Sequence, residues 1–246
     1  MTAISQAYPD RVEVRGRDLT GDLMGRVGFT EYFHLLLTGD EPTELQREFL
    51  DLVLVAIAEH GLMPTNVAAR MTLAADPGSL QGAVAAGILG AGAVLLGTAE
   101  ECARLLEAAV AGARPAADVA RELADAGRRI PGFGHPVHRP LDPRAERILE
   151  LADERGVSAA HVAFARELRD AVAGARGAPL TMNVSLPIAA VLLDLGYDAA
   201  AVKAVPILAR TASLLAHLAE ERARPLGLVL AQAAEAAARY EPDARA

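Results

Sequence analysis

The chain has 246 residues, 52% of them hydrophobic and 23% charged, so it is long enough to bury a sizeable core and too apolar to be disordered. Aromatics make up 4% and Trp is absent, which leaves small and aliphatic side chains to fill the core and favours helix over sheet. A net charge of −8 sets general nucleic-acid binding aside, and a single cysteine, Cys102, excludes an intrachain disulfide and a cysteine-built metal site.

The chain reads as helix after helix, punctuated by Gly and Pro. Strand-like alternation is confined to the short stretch Arg11–Arg15, and no apolar leader core precedes Arg26, so a cytoplasmic location is expected. A first helix is expected over Thr30–Leu37, stopping near Gly39. Thr43 can cap the next, with Gln46 as its capping-box partner. Leu45, Phe49, Leu52, Val53, Ala56 and Ile57 follow at helical spacing, His60 continues that face, and Gly61 ends the helix. Pro64, Pro77 and Gly78 bound a third.

Residues 77–99 carry no charge and are long enough to span a bilayer. They are mostly Gly and Ala, are flanked by Asp76, Glu100 and Glu101, and lack interfacial anchors, so a tightly packed helix pair is expected and no membrane association. Gly87, Gly90 and Gly92 follow no strand and precede no Gly-Lys-Ser/Thr, which makes them a poor phosphate loop. Pro115–Arg129 reads as an amphipathic helix. Asp142 is a good N-cap and Pro143 a good first residue for a helix with the stripe Ala145, Ile148, Leu149 and Ala152, stopped by Gly156. Helices follow at about Ser158–Ala175, Leu186–Leu195, Asp198–Ala204 and Pro206–Arg222. Breaks fall at Gly177-Ala178-Pro179 and Arg224-Pro225, and the last helix runs to about Tyr240.

The loop from Ile130 to Arg144 holds the densest chemistry. Two histidines, His135 and His138, and two arginines, Arg139 and Arg144, gather just before a helix N-terminus, among stiffening prolines and permissive glycines. That suits an anionic ligand and proton work; a rigid turn with solvated arginines is the other reading. His60 on an apolar helix face is more often a satisfied core residue than a catalyst. Arg210, on a largely apolar helix, needs a partner, either Glu220 or Glu221 or a ligand. Arg224 is equally open. His34, His161 and His217 look like ordinary helix residues, and Glu220, Glu221 and Arg222 like a solvated face.

Taken in order, these pieces resemble the citrate synthase superfamily over most of the chain. The segments that carry the likeness are Arg15-Gly16-Arg17-Asp18-Leu19, Leu35 to Thr43, Pro131-Gly132-Phe133-Gly134-His135 through Asp142-Pro143-Arg144, Met182-Asn183-Val184, Arg210 to His217, and Arg224-Pro225. The resemblance implies an all-α fold with a large domain (1–83 and 197–246), a small inserted domain (84–196) and a homodimer. The chain is shorter than a typical member, and the difference falls between Glu48 and Pro64. Such proteins join an acyl-CoA to an oxo-acid or split the product, with the CoA thioester as substrate, a di- or tricarboxylate as the second ligand, no permanent cofactor and no metal.

By the same resemblance, His135 polarises the oxo-acid carbonyl. His60, Arg144, Arg210, Arg224 and Asn183 contact substrate, and Arg224 reaches across the dimer. Ile130, Pro131, Gly132, Phe133, Gly134 and Arg139 form the coenzyme A loop. Two positions depart from the pattern. Gln81 stands where the enolate-stabilising histidine is usual, and Ser185 where the catalytic aspartate is usual. A serine without an adjacent base abstracts a proton poorly near neutral pH, so ordinary citrate synthase activity is expected to be weak or absent. The chain is similar to short members described as citryl-CoA lyases, in which His135 would accept the hydroxyl proton and Gln81 would stabilise the enolate. A non-catalytic CoA- or carboxylate-binding paralogue, or an acyltransferase for another acyl-CoA, are the alternatives.

Overall fold

The computed structural model describes residues 1–92, 98–127, 129–176 and 180–241. It is mostly helical, with one small ribbon ahead of the first helix. Strands β1 (Ser5–Ala7), β2 (Val12–Val14) and β3 (Arg17–Asp18) pair antiparallel in that order. The Arg11–Arg15 alternation marked β2. Its neighbours escaped notice because β1 is exposed throughout and β3 has two residues.

The helices are α1 (Phe29–Thr38), α2 (Glu44–Ala58), α3 (Pro64–Ala75), α4 (Leu80–Leu89), α5 (Thr98–Ala111), α6 (Ala116–Asp125), α7 (Pro143–Glu154), α8 (Ala160–Arg176), α9 (Ser185–Asp194), α10 (Ala199–Ala223) and α11 (Gly227–Ala237). Local signals set their ends. α1 stops where Gly39 turns left-handed at φ 94°, and the Thr43–Gln46 capping box forms in both directions at the start of α2.

Several expected boundaries move; α6 ends at Asp125, not Arg129, and α11 at Ala237, not Tyr240. α2 ends at Ala58, not at Gly61, because the Glu59 carboxylate takes the N–H groups of His60 and Gly61 that a further turn would need. His60 therefore lies beyond the helix, not on its apolar face. The two helices expected around Pro206 are one helix, α10, with the proline inside it. Its buried positions Val202, Val205, Ala209, Leu214 and Leu218 favour an unbroken helix despite the lost N–H donor. The break at 177–179 lies outside the described residues.

The chain forms two compact units, Met1–Ala56 with Ala99–Val205, and Ile57–Thr98 with Pro206–Ala246. Their boundaries differ from those expected near 83 and 196, because α4 packs against α3. In the first unit α9 packs on α7 and α8, and α8 on α6. α9 is apolar on every side, and Leu186 to Leu193 are all buried, so it is the core around which that unit is built. A smaller cluster of Val14, Leu23 and Leu35 joins the ribbon to α1.

In the second unit Ala69 and Leu73 of α3, Ala83 of α4, and Leu214 and Leu218 of α10 share one core. The Gly/Ala stretch thus contributes a packed helix, with Gly87 close enough to Leu214 that a Cβ there would lie 2.7 Å from its methyl. Among the described residues the helix long and apolar enough to cross a bilayer is α10, and 44% of its apolar window is buried.

The largest fully buried side chain is that of Arg70 on α3. It pairs with Glu221 (2.9 Å) and Glu220 of α10; Glu221 is buried and so is not part of a solvated face, while Glu220 stays half-exposed. Glu221 also accepts from the N–H groups of Leu226 and Gly227, which closes the turn between α10 and α11. Burial opposes its charge, but those N–H groups and Arg70 outweigh burial and hold its pKa below the usual range. Arg70→Ala strands that buried carboxylate and should cost about 3–5 kcal/mol in urea unfolding at pH 7. Because the folded pKa is depressed, the carboxylate's contribution is present above the ordinary glutamate value and fades as pH falls through the folded one. The gap between wild type and variant should therefore narrow below about pH 4.

Candidate active site

Backbone pairing joins the loop between α6 and α7 to the segment before α9. Gly134 N–H donates to Thr181 O (2.7 Å), Asn183 N–H donates to Gly132 O (2.9 Å), and Phe133 bridges Met182. The Asn183 side chain works at both ends. Its Nδ2 donates to Gly134 O (3.0 Å), and its Oδ1 accepts from Ser185 N–H (3.0 Å) at the start of α9. Asn183, expected to touch substrate, thus clamps the loop to the helix.

Gly132 has φ +79°, and a Cβ there would meet Leu186 Cβ at 2.7 Å and Cys102 Sγ at 3.0 Å. Only glycine lets the loop lie this close to α9 and α5. Burial pushes the Cys102 thiol pKa far up, so it packs as a small apolar group.

Asp142, fully buried, holds the other end of the loop. It accepts from Arg144 N–H (3.1 Å), Arg144 Nε (3.0 Å), Arg144 Nη2 (2.8 Å) and Val184 N–H (3.3 Å). One carboxylate therefore caps α7, orients Arg144 and ties both to the Asn183-Val184-Ser185 segment. Burial opposes its charge, yet the Arg144 fork and these N–H groups keep its pKa below the usual aspartate value. The sequence marked Asp142 only as an N-cap; a fork to a residue two positions on leaves no periodic signal.

The His135 ring is fixed by its own loop. Its Nδ1 accepts from the N–H groups of Val137 (3.1 Å) and His138 (2.8 Å), and the ring stacks on His138 at 4.3 Å. In the neutral ring this places the proton on Nε2. That atom lies 3.4 Å from Arg144 Nη2. Two donors thus stand side by side, an arrangement that suits an oxygen carrying negative charge. Ser185 is half-buried at the first position of α9, two residues from the Asn183 clamp.

Beside His135 opens a cleft of about 350 Å³, lined by Arg129, Ile130, Phe133, Gly134, Pro136 and Leu180. Ile130, Phe133 and Gly134 of the expected coenzyme A loop line it. Gly132 is committed to packing, while Pro131 and the exposed Arg139 are not part of the lining.

The remaining expected residues belong to the second unit. His60 is half-buried in the turn after α2. Arg210 is half-buried on α10, with Nη2 donating to Ile57 O (3.3 Å). Gln81 on the first turn of α4 and Arg224 after α10 are exposed. His217 is no ordinary helix residue, since it contacts both Arg70 and Glu59.

A family model described as "Citrate synthase, C-terminal domain" matches residues 5–227. The chain belongs to the citrate synthase family. Among its relatives is the "Putative citrate synthase 2" of Mycobacterium tuberculosis, 32% identical over 188 residues, covering 74% of this chain and 49% of that protein. The chain spans about half the length of that relative and about a third of the Haloferax volcanii citrate synthase. The solved citryl-CoA lyase of Hydrogenobacter thermophilus superposes with a TM-score of 0.90 at 29% identity, covering 100% of this chain and 96% of that one. ATP citrate lyase from Methanothrix soehngenii, solved with citrate and coenzyme A, shares the fold (TM-score 0.82, 19% identity) over 99% of this chain and 42% of its own. The citrate synthase fold is thus present in a chain matched almost end to end by a citryl-CoA lyase.

Asp142→Asn keeps the shape but loses the charge-assisted fork. It should cost about 2–3 kcal/mol in urea unfolding at pH 7. The folded pKa is depressed, so the charge contributes above the ordinary aspartate value and is lost as pH falls through the folded one; the difference should shrink below about pH 4. Gly132→Ala should lower stability by roughly 2–4 kcal/mol through strain and overpacking, and calorimetry would detect it as a lower Tm.

Proposed function

We propose that the protein is a carbon–carbon lyase for CoA thioesters, cleaving citryl-CoA or a similar hydroxy-polycarboxyl-CoA to acetyl-CoA and oxaloacetate. The observation that carries this reading is the donor pair of His135 Nε2 and Arg144 Nη2, 3.4 Å apart beside the cleft. Cleavage is a retro-Claisen step. As the bond between the carbinol carbon and the thioester α-carbon breaks, the carbinol oxygen becomes the oxaloacetate carbonyl. The electron pair passes to the thioester enolate. The carbinol oxygen carries most negative charge as the alkoxide, and paired donors held in place stabilise it there. With Nδ1 taken by two backbone N–H groups, His135 serves as donor to this oxygen, and the hydroxyl proton leaves to water. This replaces the expectation that His135 accepts that proton.

The remaining roles follow from the resemblance. Arg144, His60, Arg210 and Arg224 hold carboxylates, Gln81 stabilises the enolate oxygen, and Ser185 or water delivers the proton to the enolate carbon. Ile130, Phe133 and Gly134, which line the cleft, receive coenzyme A together with Pro131, Gly132 and Arg139 of the same loop. The enzyme would act as a cytoplasmic homodimer. The end-to-end likeness to a citryl-CoA lyase at 29% identity supports the lyase direction.

The exposure of Gln81 and the absence of a base on Ser185 favour the second reading, a non-catalytic CoA- or carboxylate-binding paralogue. Purified protein given citryl-CoA should release oxaloacetate, followed through malate dehydrogenase as NADH loss. His135→Ala should lower that rate by about 10²-fold or more. No turnover with coenzyme A still bound would replace the lyase by the paralogue.

A further inference from the structure

Glu59 follows α2, and its half-exposed carboxylate gathers four hydrogen bonds inside the second unit. Oε1 accepts from His60 N–H (2.9 Å) and Gly61 N–H (2.6 Å). Oε2 accepts from Ser213 Oγ (2.5 Å) and His217 Nε2 (2.9 Å). The first pair closes the turn that carries His60. The second pair comes from α10, the helix that carries Arg210.

The chain of contacts continues behind Glu59. His217 Nδ1 accepts from Arg70 Nε (3.1 Å) and Nη2 (2.8 Å), and its Nε2 lies 2.9 Å from both Glu59 Oε2 and Asn66 Nδ2. Arg70 is itself fixed by Glu220 and Glu221. On the far side of the turn, buried Asn66 donates from Nδ2 to Gly61 O (2.6 Å). The turn is therefore gripped at its N–H groups by Glu59 and at its carbonyl by Asn66. An exposed carboxylate with one cation contributes little. One with four converging donors fixes geometry.

We propose that Glu59 is a positioning residue: its carboxylate sets the place of His60 against the helix bearing Arg210, with Arg70 and His217 orienting the carboxylate in turn. Glu59 does not touch substrate. The catalytic consequence rests on the reading of His60 and Arg210 as oxo-acid contacts, whereas the placement of His60 does not.

The experiment reads both. In protein labelled with ¹⁵N-histidine, with the His60 signal assigned by its loss in His60→Gln, Glu59→Ala should shift and broaden the His60 resonances and leave those of His161 unchanged. In citryl-CoA turnover, Glu59→Ala should lower kcat/KM by about 10–100-fold, of the order set by a lost positioning contact. The Kd for coenzyme A should stay at the wild-type value. Glu59→Gln should recover part of the loss, since its amide oxygen still accepts from both backbone N–H groups. Unchanged His60 resonances in Glu59→Ala would overturn the proposal, as would a loss that is equal for coenzyme A and the oxo-acid and follows the fall in Tm. If the wild type turns over no citryl-CoA, the lyase reading fails, and the His60 resonances still decide the placement.

Discussion

A carboxylate with no exposure to solvent is stable only where other groups replace the water it has lost. Asp142 meets that condition through Arg144 and two backbone N–H groups, and the arrangement of the first unit's site follows from it. The fork holds Arg144 in one orientation. The cap starts α7 at Pro143. The bond to Val184 N–H ties that helix to the entry of α9. Since Leu186 to Leu193 of α9 are all buried, the loop's anchor is fixed to a helix enclosed in the unit's core. His135 needs no anchor of its own kind, because its ring is held by the backbone of the tripeptide that follows it. Asp142 and the Asn183 clamp thus restrict the loop at both ends, and the ring and the guanidinium are preorganised without a ligand.

The second unit uses the opposite charge for a similar end. There the buried ion is a cation, Arg70, and its planar fork satisfies two carboxylates and a histidine at once. An arginine can do this where a lysine could not, because its donors are fixed in one plane. The price of burying it is met by geometry on three sides, so the network serves to specify which surfaces of α3 and α10 meet. The apolar cluster of Ala69, Leu73, Leu214 and Leu218 supplies the attraction but not the register, since small aliphatic side chains slide past one another with little penalty.

Most helices were legible in the sequence because their ends carry explicit chemistry: Thr43 with Gln46, Gly39, and Asp142 with Pro143. The failures have one physical form. α2 ends early because the Glu59 side chain takes the next two backbone N–H groups, and Glu221 is buried because Arg70, distant in sequence, recruits it. No periodicity records such pairings. The same limit applies to the site. The His135 loop was visible as a cluster of residue types. The roles of Asp142, Asn183, Glu59, Arg70 and His217 depend on partners far along the chain or on hydrogen bonds that leave no spacing signal. Pro206 failed in the other direction, since a strong local breaker was overridden by the packing of the helix that contains it.

The residue at the head of α9 bears on the proposed reaction. Ser185 sits at the first position of that helix, where the helix dipole favours negative charge although the first N–H groups are taken by Asn183 and Val184. An aspartate there would gain from this field as a carboxylate. A serine gains nothing as a base, yet the field remains for any anion that forms nearby. Condensation of acetyl-CoA must first create the enolate by removing a carbon-bound proton, which is the step a serine serves worst. Cleavage creates the enolate by breaking a carbon–carbon bond, and the proton is needed only afterwards, from a donor as weak as water. Microscopic reversibility ties the two directions to one barrier, so the substitution slows both. What it leaves in place, in the proposed reaction, is the donor pair of His135 and Arg144 for the alkoxide oxygen.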